Sequence, residues 1–208
     1  MGATSADVSN EVTGVILAGG KARRMGGADK GLVTVNDRPM IAYVIDALRP
    51  QVADILISAN RNRDSYGEFG YPVFADDNTG FQGPLAGIVA GMQAARTRYI
   101  AVAPCDSPLL SGDIVQRLHV ALSGAGLRIA VAHDGERLQN VFALLDTRLL
   151  DDLRNYLDEG GRKVDHWYAG PGYATADCSD IYETFSNINA PADRKVLEEK
   201  LALRTADG

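Results

Sequence analysis

Gly14-Val15-Ile16-Leu17-Ala18-Gly19-Gly20 is the stretch on which the fold turns: a short apolar run closed by two glycines. That form suits a strand buried on both faces better than an amphipathic helix. Working outward, element types alternate. Pro39 to Leu48 carries a broad helical stripe, opened by Pro39 and followed by Pro50. Ile55-Leu56-Ile57 is a second strand and Pro72-Val73-Phe74-Ala75 a third. Gly83 to Arg96 predicts a helix rich in small residues, in which Gly87 and Gly91 allow close packing against a sheet or ligand. Tyr99 to Ala103 is another apolar strand. Ser111 is the expected N-cap of a helix from Gly112 to Leu122, and the strand Leu127 to Ala132 follows it. Gln139 to Leu145 pairs with that strand across the polar turn His133 to Arg137. Helices over Thr147 to Asp158 and over Ala190 to Leu203, the latter capped by Asn189, complete the pattern. Strands alternating with helices specify an α/β fold with a mainly parallel sheet, because parallel strands need crossovers. One domain is expected over 11–203, between flexible ends at 1–10 and 204–208.

Composition narrows the function. With 46% apolar and 23% charged residues, the chain has the balance of an ordinary soluble globule, not of a disordered segment or a coiled coil. It has no run of 18 apolar residues and no signal-like N-terminus, so a cytoplasmic location without membrane contact is the expectation. Cys105 and Cys178 lie far apart, and His119, His133 and His166 have no ligand spacing, which argues against a structural zinc site or a disulfide framework. The formal charge of −6 argues against nucleic acid as a partner. Any polyanionic ligand must therefore meet a local concentration of positive charge.

That concentration stands directly after the first strand, in Leu17-Ala18-Gly19-Gly20-Lys21-Ala22-Arg23-Arg24-Met25-Gly26-Gly27-Ala28-Asp29-Lys30. Four basic residues against Asp29 give +3 here and leave −9 to the rest of the chain. Ligands of open α/β sheets bind outside the carboxyl ends of strands, so a basic, glycine-rich connection is in the right place for a polyphosphate. The segment is not a Walker A loop, since Ala22 follows Gly20-Lys21 and the glycine spacing is one residue too long; the dinucleotide fingerprint G-x-G-x-x-G is absent too.

The segment Leu17 to Lys30 resembles the signature loop of the nucleotidyltransferases that activate sugars and cofactors, and in detail that of the molybdenum cofactor guanylyltransferases. Gly83-Pro84-Leu85-Ala86-Gly87, Pro104-Cys105-Asp106-Ser107-Pro108 and Phe185-Ser186-Asn187-Ile188-Asn189-Ala190-Pro191 are similar to that family's later motifs, in the same order. The resemblance implies a Rossmann-like three-layer nucleotidyltransferase fold. It implies transfer of GMP from GTP to the terminal phosphate of the molybdenum-molybdopterin cofactor, with release of pyrophosphate. It gives nucleotide contacts to Leu17, Ala18, Gly19 and Gly20, phosphate neutralisation to Lys30 with Arg24 as the second cation, magnesium and nucleotide contact to Asp106, and guanine-nucleotide contact to Asp76. Ser58 stands where the family has an asparagine, with Asn60 a substitute two residues on. A monomer is expected, and the same resemblance implies transient contact with the molybdenum-insertion protein and with acceptor molybdoenzymes or their chaperones.

The residues support part of this independently. A carboxylate such as Asp106, in a tight turn after an apolar strand, would repel a triphosphate unless a hard cation lay between them, and magnesium accepts one or two carboxylates together with phosphate oxygens; an Asx-turn role is the plain alternative. In the C-terminal half, Gly160-Gly161-Arg162-Lys163 offers a second basic, flexible loop for the pterin phosphate. Asn140, Asn187 and Asn189 can bond a heterocycle or serve as caps, and Trp167-Tyr168 can stack on pterin or pack. No Ser-His-Asp set and no H-E-x-x-H appear, so direct in-line attack, carried by positioning and electrostatics, is the expected chemistry. The rival readings are a CTP- or sugar-phosphate-using nucleotidyltransferase and a non-catalytic nucleotide-binding cofactor chaperone.

Overall fold

A computed structural model describes residues 8–18, 29–75, 83–186 and 197–201. In chain order, β1 (Val12–Leu17) is followed by a small ribbon of β2 (Thr34–Val35) and β3 (Arg38–Pro39), then α1 (Met40–Leu48), β4 (Asp54–Ser58), α2 (Arg63–Gly67), β5 (Val73–Phe74), α3 (Pro84–Ala94), β6 (Tyr99–Pro104) and α4 (Ile114–Ala125). The hairpin of β7 (Ile129–His133) and β8 (Leu138–Asp146) leads to α5 (Leu150–Asp158), α6 (Val164–Ala169) and β9 (Ala174–Asp177).

The main sheet has seven strands in the order β5-β4-β1-β6-β8-β7-β9. All neighbours are parallel except β8, which runs antiparallel to both β6 and β7. The strand β1 buries every residue but Leu17, as a central strand covered on both faces must. One layer packs Ile41, Val44 and Leu48 of α1, Tyr66 of α2, and Ile114, Val115 and Leu118 of α4 against the sheet. The opposite layer packs Leu85, Ile88 and Met92 of α3, Leu153 and Leu157 of α5, and Trp167 and Tyr168 of α6. Each such side chain contributes about 1.5–3 kcal/mol by leaving water. Among the described residues no helix is long and apolar enough to cross a membrane.

Connectivity fixes where a ligand can sit. From β1 the chain moves outward to β4 and β5, then crosses back over the sheet through α3 to β6 on the other side of β1. The reversal falls between β1 and β6, whose carboxyl ends, Leu17 and Pro104, lie in register. A crevice opens at such a reversal.

Several elements differ from the sequence reading. The helix expected from Gly112 starts at Ile114, and Asp113 precedes it instead of Ser111. The Ser111 hydroxyl bonds Asp113 Oδ1 at 2.5 Å and Arg117 takes the other carboxylate oxygen, so these side chains bind one another and leave the helix N–H groups alone. The helical stretch at Thr147 begins as a 3-10 turn, Thr147–Leu149, capped by Asp146, before α5. Val8 is buried, so the packed chain reaches into the segment expected to be a flexible end, whereas 1–7 and 202–208 lie outside the described residues. Of the last expected helix, 197–201 are helical and place Leu197 and Leu201 against Val35, Met40 and Leu109; its N-cap Asn189 lies outside the described residues.

Gly91 explains how α3 approaches the sheet: a Cβ there would lie 2.9 Å from both γ-methyls of Val15. Val15 is fully buried and β-branched, so it has no room to yield. Gly91→Ala is therefore expected to destabilise the fold by about 1–3 kcal/mol, overpacking outweighing the ~1 kcal/mol helix-propensity gain. Gly67→Ala, whose added methyl meets nothing within 4 Å, is expected to leave the melting temperature level or raise it. A thermal melt in which the two variants behave alike would contradict this packing account.

Candidate active site

The edge of the sheet at the carboxyl ends of β1 and β6 is formed first by backbone. Ala18 N donates to Ser58 O at 2.8 Å and Cys105 N to Leu17 O at 3.1 Å, so the ends of β1, β4 and β6 are tied together one residue beyond the sheet. Gly87, in the first turns of α3, lies so close that a Cβ would sit 2.8 Å from both Leu17 Cδ2 and Ser58 Oγ. The carboxyl ends of the strands and the start of α3 thus form one wall. Ser58 is buried in it, while Asn60 is exposed on the turn beyond β4.

Two charged residues from opposite sides of the reversal meet here. Lys30 Nζ lies 2.9 Å from Asp106 Oδ2, with side-chain exposures of 24% and 11%. The pair is partly screened and contributes little to stability; its consequence is that the cation ending the basic segment and the carboxylate after β6 occupy one place. Lys30 opens a 3-10 turn, Lys30–Leu32. Asp29 before it is buried and receives the Tyr66 hydroxyl at 2.5 Å and Asn62 Nδ2 at 3.3 Å.

Leu17, Ala18, Lys30 and Asp106 are therefore brought to one edge of the sheet. Gly19, Gly20, Arg24 and Asp76 lie outside the described residues, as do Asn187 and Asn189. Asn140 reaches the same edge from another strand: β8 pairs Ala143 with Val102, so residues earlier in β8 extend toward the carboxyl end of β6. Its Oδ1 is buried and accepts no hydrogen bond, while its backbone carbonyl accepts from the Tyr168 hydroxyl at 2.8 Å. Trp167 and Tyr168 are buried at 2% and 1% exposure, and Trp167 Nε1 is held by Asp152 at 2.7 Å. They pack α6 against the sheet and have no face left for a pterin.

The second basic loop is not slack. Gly161 sits under the Tyr156 ring, whose hydroxyl donates to Lys163 O at 2.9 Å, and Arg162 Nη1 donates to Leu157 O and Gly161 O at the end of α5. Arg162 thus uses its guanidinium on orphan carbonyls of a helix terminus. Both side chains remain on the exposed surface.

Among the described residues no three His, Cys, Asp or Glu cluster closely enough to hold a metal. One nearly buried carboxylate, Asp106, fits a hard cation that takes most of its ligands from phosphate and water, not a resident metal in an all-protein cage. The residues missed in the sequence are Asp29, Asn62 and Tyr66. Their one visible signal is a lone acid inside a basic segment, since its two partners stand more than thirty positions away.

A lysine that ends a basic, glycine-rich sequence and a strand-end carboxylate, meeting at the reversal point of a mostly parallel sheet, point to the nucleotidyltransferase class. Residues 14–171 match the MobA-like NTP transferase domain, and the chain belongs to that family. It is 47% identical over 195 residues to a molybdenum cofactor guanylyltransferase of Shewanella loihica, covering 94% of this chain and 100% of that protein. Among solved structures, it shares its fold with molybdopterin-guanine dinucleotide biosynthesis protein A of Archaeoglobus fulgidus (TM-score 0.75, 20% identity, 91% of this chain and 98% of that one). It likewise shares it with the 4-diphosphocytidyl-2C-methyl-D-erythritol synthase of Anaerococcus prevotii (TM-score 0.73, 9% identity, 93% and 97%).

Neither cysteine is poised as a nucleophile. Burial first, then Asp106 and Asp29 beside it, pushes the Cys105 thiol far above its ordinary range, and burial pushes Cys178 up to about 11. Because both folded values lie above the unfolded ones, the stability they contribute is intact below the ordinary thiol range, about pH 8.5, and is lost as pH rises toward about 11 at Cys178. At pH 8 a thiol reagent is expected to label neither cysteine in the folded protein and both after denaturation. Rapid labelling of Cys105 without unfolding would contradict the burial.

Proposed function

We propose that the chain transfers GMP from GTP to the terminal phosphate of the molybdenum-molybdopterin cofactor, giving its guanine dinucleotide form and pyrophosphate. The observation that carries the reading is the Lys30–Asp106 pair at the β1/β6 reversal, in a chain 47% identical across 94% of its length to an enzyme of that name. The backbone of Leu17 to Gly20 receives the nucleotide, Lys30 and Arg24 face its phosphates, and Asp76 reads guanine through its N1–H and exocyclic amine. A magnesium ion arriving with the nucleotide would be held by Asp106 and would offset charge between that carboxylate and the phosphates.

An oxygen of the molybdopterin phosphate attacks the α-phosphorus of GTP in line, and the bond from that phosphorus to the bridging β-oxygen breaks, releasing pyrophosphate. A phosphate monoester is largely ionised near neutral pH, so no general base is required. Both cysteines are buried with their thiols pushed up, which fits a step without a cysteine-bound intermediate. What the protein supplies is alignment of two anions and fixed positive charge at the leaving group. Asn140, Asn187 and Asn189 bond the pterin ring, and Lys163, with Arg162 shaping its loop, meets the attacking phosphate. The unpartnered Oδ1 of Asn140, at the sheet edge where the nucleotide binds, supports that half of the reading. A monomeric cytoplasmic enzyme, exchanging its labile cofactor by transient contact with the molybdenum-insertion protein and with acceptor molybdoenzymes or their chaperones, completes the proposal. Two buried free cysteines fit a reducing compartment.

Pyrophosphate release in the presence of molybdopterin cofactor and magnesium, measured across GTP, CTP, ATP and UTP, tests the activity. GTP alone is expected to support turnover, and CTP-selective or acceptor-independent release would overturn the reading. Asp106→Ala is expected to lower turnover by at least about a hundredfold, as loss of a preorganised electrostatic contact does, with the melt retained. Replacing Arg162 and Lys163 together by alanine is expected to lower molybdopterin use several-fold while GTP affinity holds. That effect should shrink at high salt; a double variant with unchanged pterin kinetics at low salt would move the second site elsewhere.

A further inference from the structure

Asp29 presents a contradiction in a site for polyanions. It is 6% exposed, stands one residue before the lysine assigned to the phosphates, and has neutral donors as its recorded partners. A buried carboxylate is costly unless hydrogen bonds replace its water. Here two do, from separate points of the segment after β4. Tyr66 is fully buried, and burial first, then Cys105 and Asp29 beside it, pushes its hydroxyl well above its ordinary range, so it remains a donor. The 2.5 Å contact is the length of a strong charge-assisted O–H···O⁻ bond. Asn62 holds the other carboxylate oxygen from a left-handed backbone conformation (φ 50°), which asparagine adopts more readily than most residues.

The surroundings leave this arrangement little freedom. Leu32 N donates to Asp29 O at 3.1 Å, closing the turn that carries Lys30. Gly31 lies against the same hydroxyl: a Cβ there would be 2.8 Å from Tyr66 Oη and 3.0 Å from Cys105 Cβ. Lys30 adjoins Gly31 and Asp106 adjoins Cys105, so the two ends of the Lys30–Asp106 contact are attached to neighbours that touch each other.

We propose that Tyr66, through Asp29, is the positioning residue for Lys30: the buried hydroxyl–carboxylate bond fixes where the basic segment rejoins the fold and so holds the lysine ammonium over the crevice. This rests on the reading above in which Lys30 serves GTP. Tyr66 touches no substrate and acts only through the turn at Asp29–Leu32. Without its hydroxyl, Asp29 keeps one donor, and the turn gains orientations in which Lys30 no longer meets Asp106.

The test is a double-variant cycle on the whole protein, using Tyr66→Phe, Lys30→Ala and both together, read by magnesium-GTP affinity in calorimetry, by turnover, and by a thermal melt. Tyr66→Phe removes one oxygen and keeps the ring. It is expected to weaken GTP binding about tenfold, the order lost with a hydrogen bond to a charged group, while the KM for molybdopterin is unchanged. In the Lys30→Ala background the same change should have almost no further effect on GTP, because the residue it positions is gone. Gly31→Ala, which presses on the same hydroxyl, should reproduce the GTP defect. A folded Tyr66→Phe protein with normal GTP affinity beside an impaired Lys30→Ala protein overturns this inference alone, and so does an equal loss in both backgrounds. Normal GTP affinity in Lys30→Ala overturns the inference together with the reading it rests on.

Discussion

A triphosphate site that contains carboxylates works only if positive charge is interposed, and in the function proposed for this protein that constraint converges on the contact between Lys30 and Asp106. The two are 76 positions apart in sequence. The parallel pairing of β1 with β6, Leu17 opposite Pro104, delivers their connecting segments to one edge. Glycine at 87 lets α3 close on that edge, and the buried Asp29 returns the basic segment to it. Partly exposed, the ion pair adds little to stability; the stability resides in the two apolar layers, and the layers exist so that the strand ends are held in register.

How much of this could be read from the chain depends on how each element is stabilised. Strands buried on both faces announce themselves as apolar runs, so β1, β4, β6 and the β7–β8 hairpin were legible, as was the glycine-rich segment after β1. β9 was not: Ala174 and Ala176 face inward and Thr175 and Asp177 outward, a period of two written in residues too small to stand out. The ribbon β2–β3 depends on left-handed Asn36 and Asp37, a turn signal without apolar flanks long enough to draw attention. Trp167 and Tyr168 were ambiguous between stacking and packing, and only the tertiary contact with Asp152 and Asn140 decides for packing. The same holds for Asp29, whose burial depends on a tyrosine from a different connection. Local pattern names the cation, and long-range packing places it.

The division between fold and specificity follows from the same geometry. The sheet and its reversal point are shared with a solved enzyme named for a diphosphocytidyl product and with one named for a molybdopterin-guanine dinucleotide, at 9% and 20% identity. The shared architecture therefore does not by itself choose a base. In the proposed function, choice of base and acceptor belongs to residues outside this shared core. There this chain carries Asp76 after β5, Asn140 on β8 and the pinned Arg162-Lys163 loop after α5.

The proposed reaction is a single direct displacement in which the protein contributes position and charge and no covalent bond. The stereochemical course at the α-phosphorus tests that most directly. With a GTP analogue made chiral by sulfur at the α-phosphate, one in-line attack by the molybdopterin phosphate predicts a dinucleotide product of inverted configuration. Retention would mean two successive displacements through a nucleotidylated side chain, and would contradict the account.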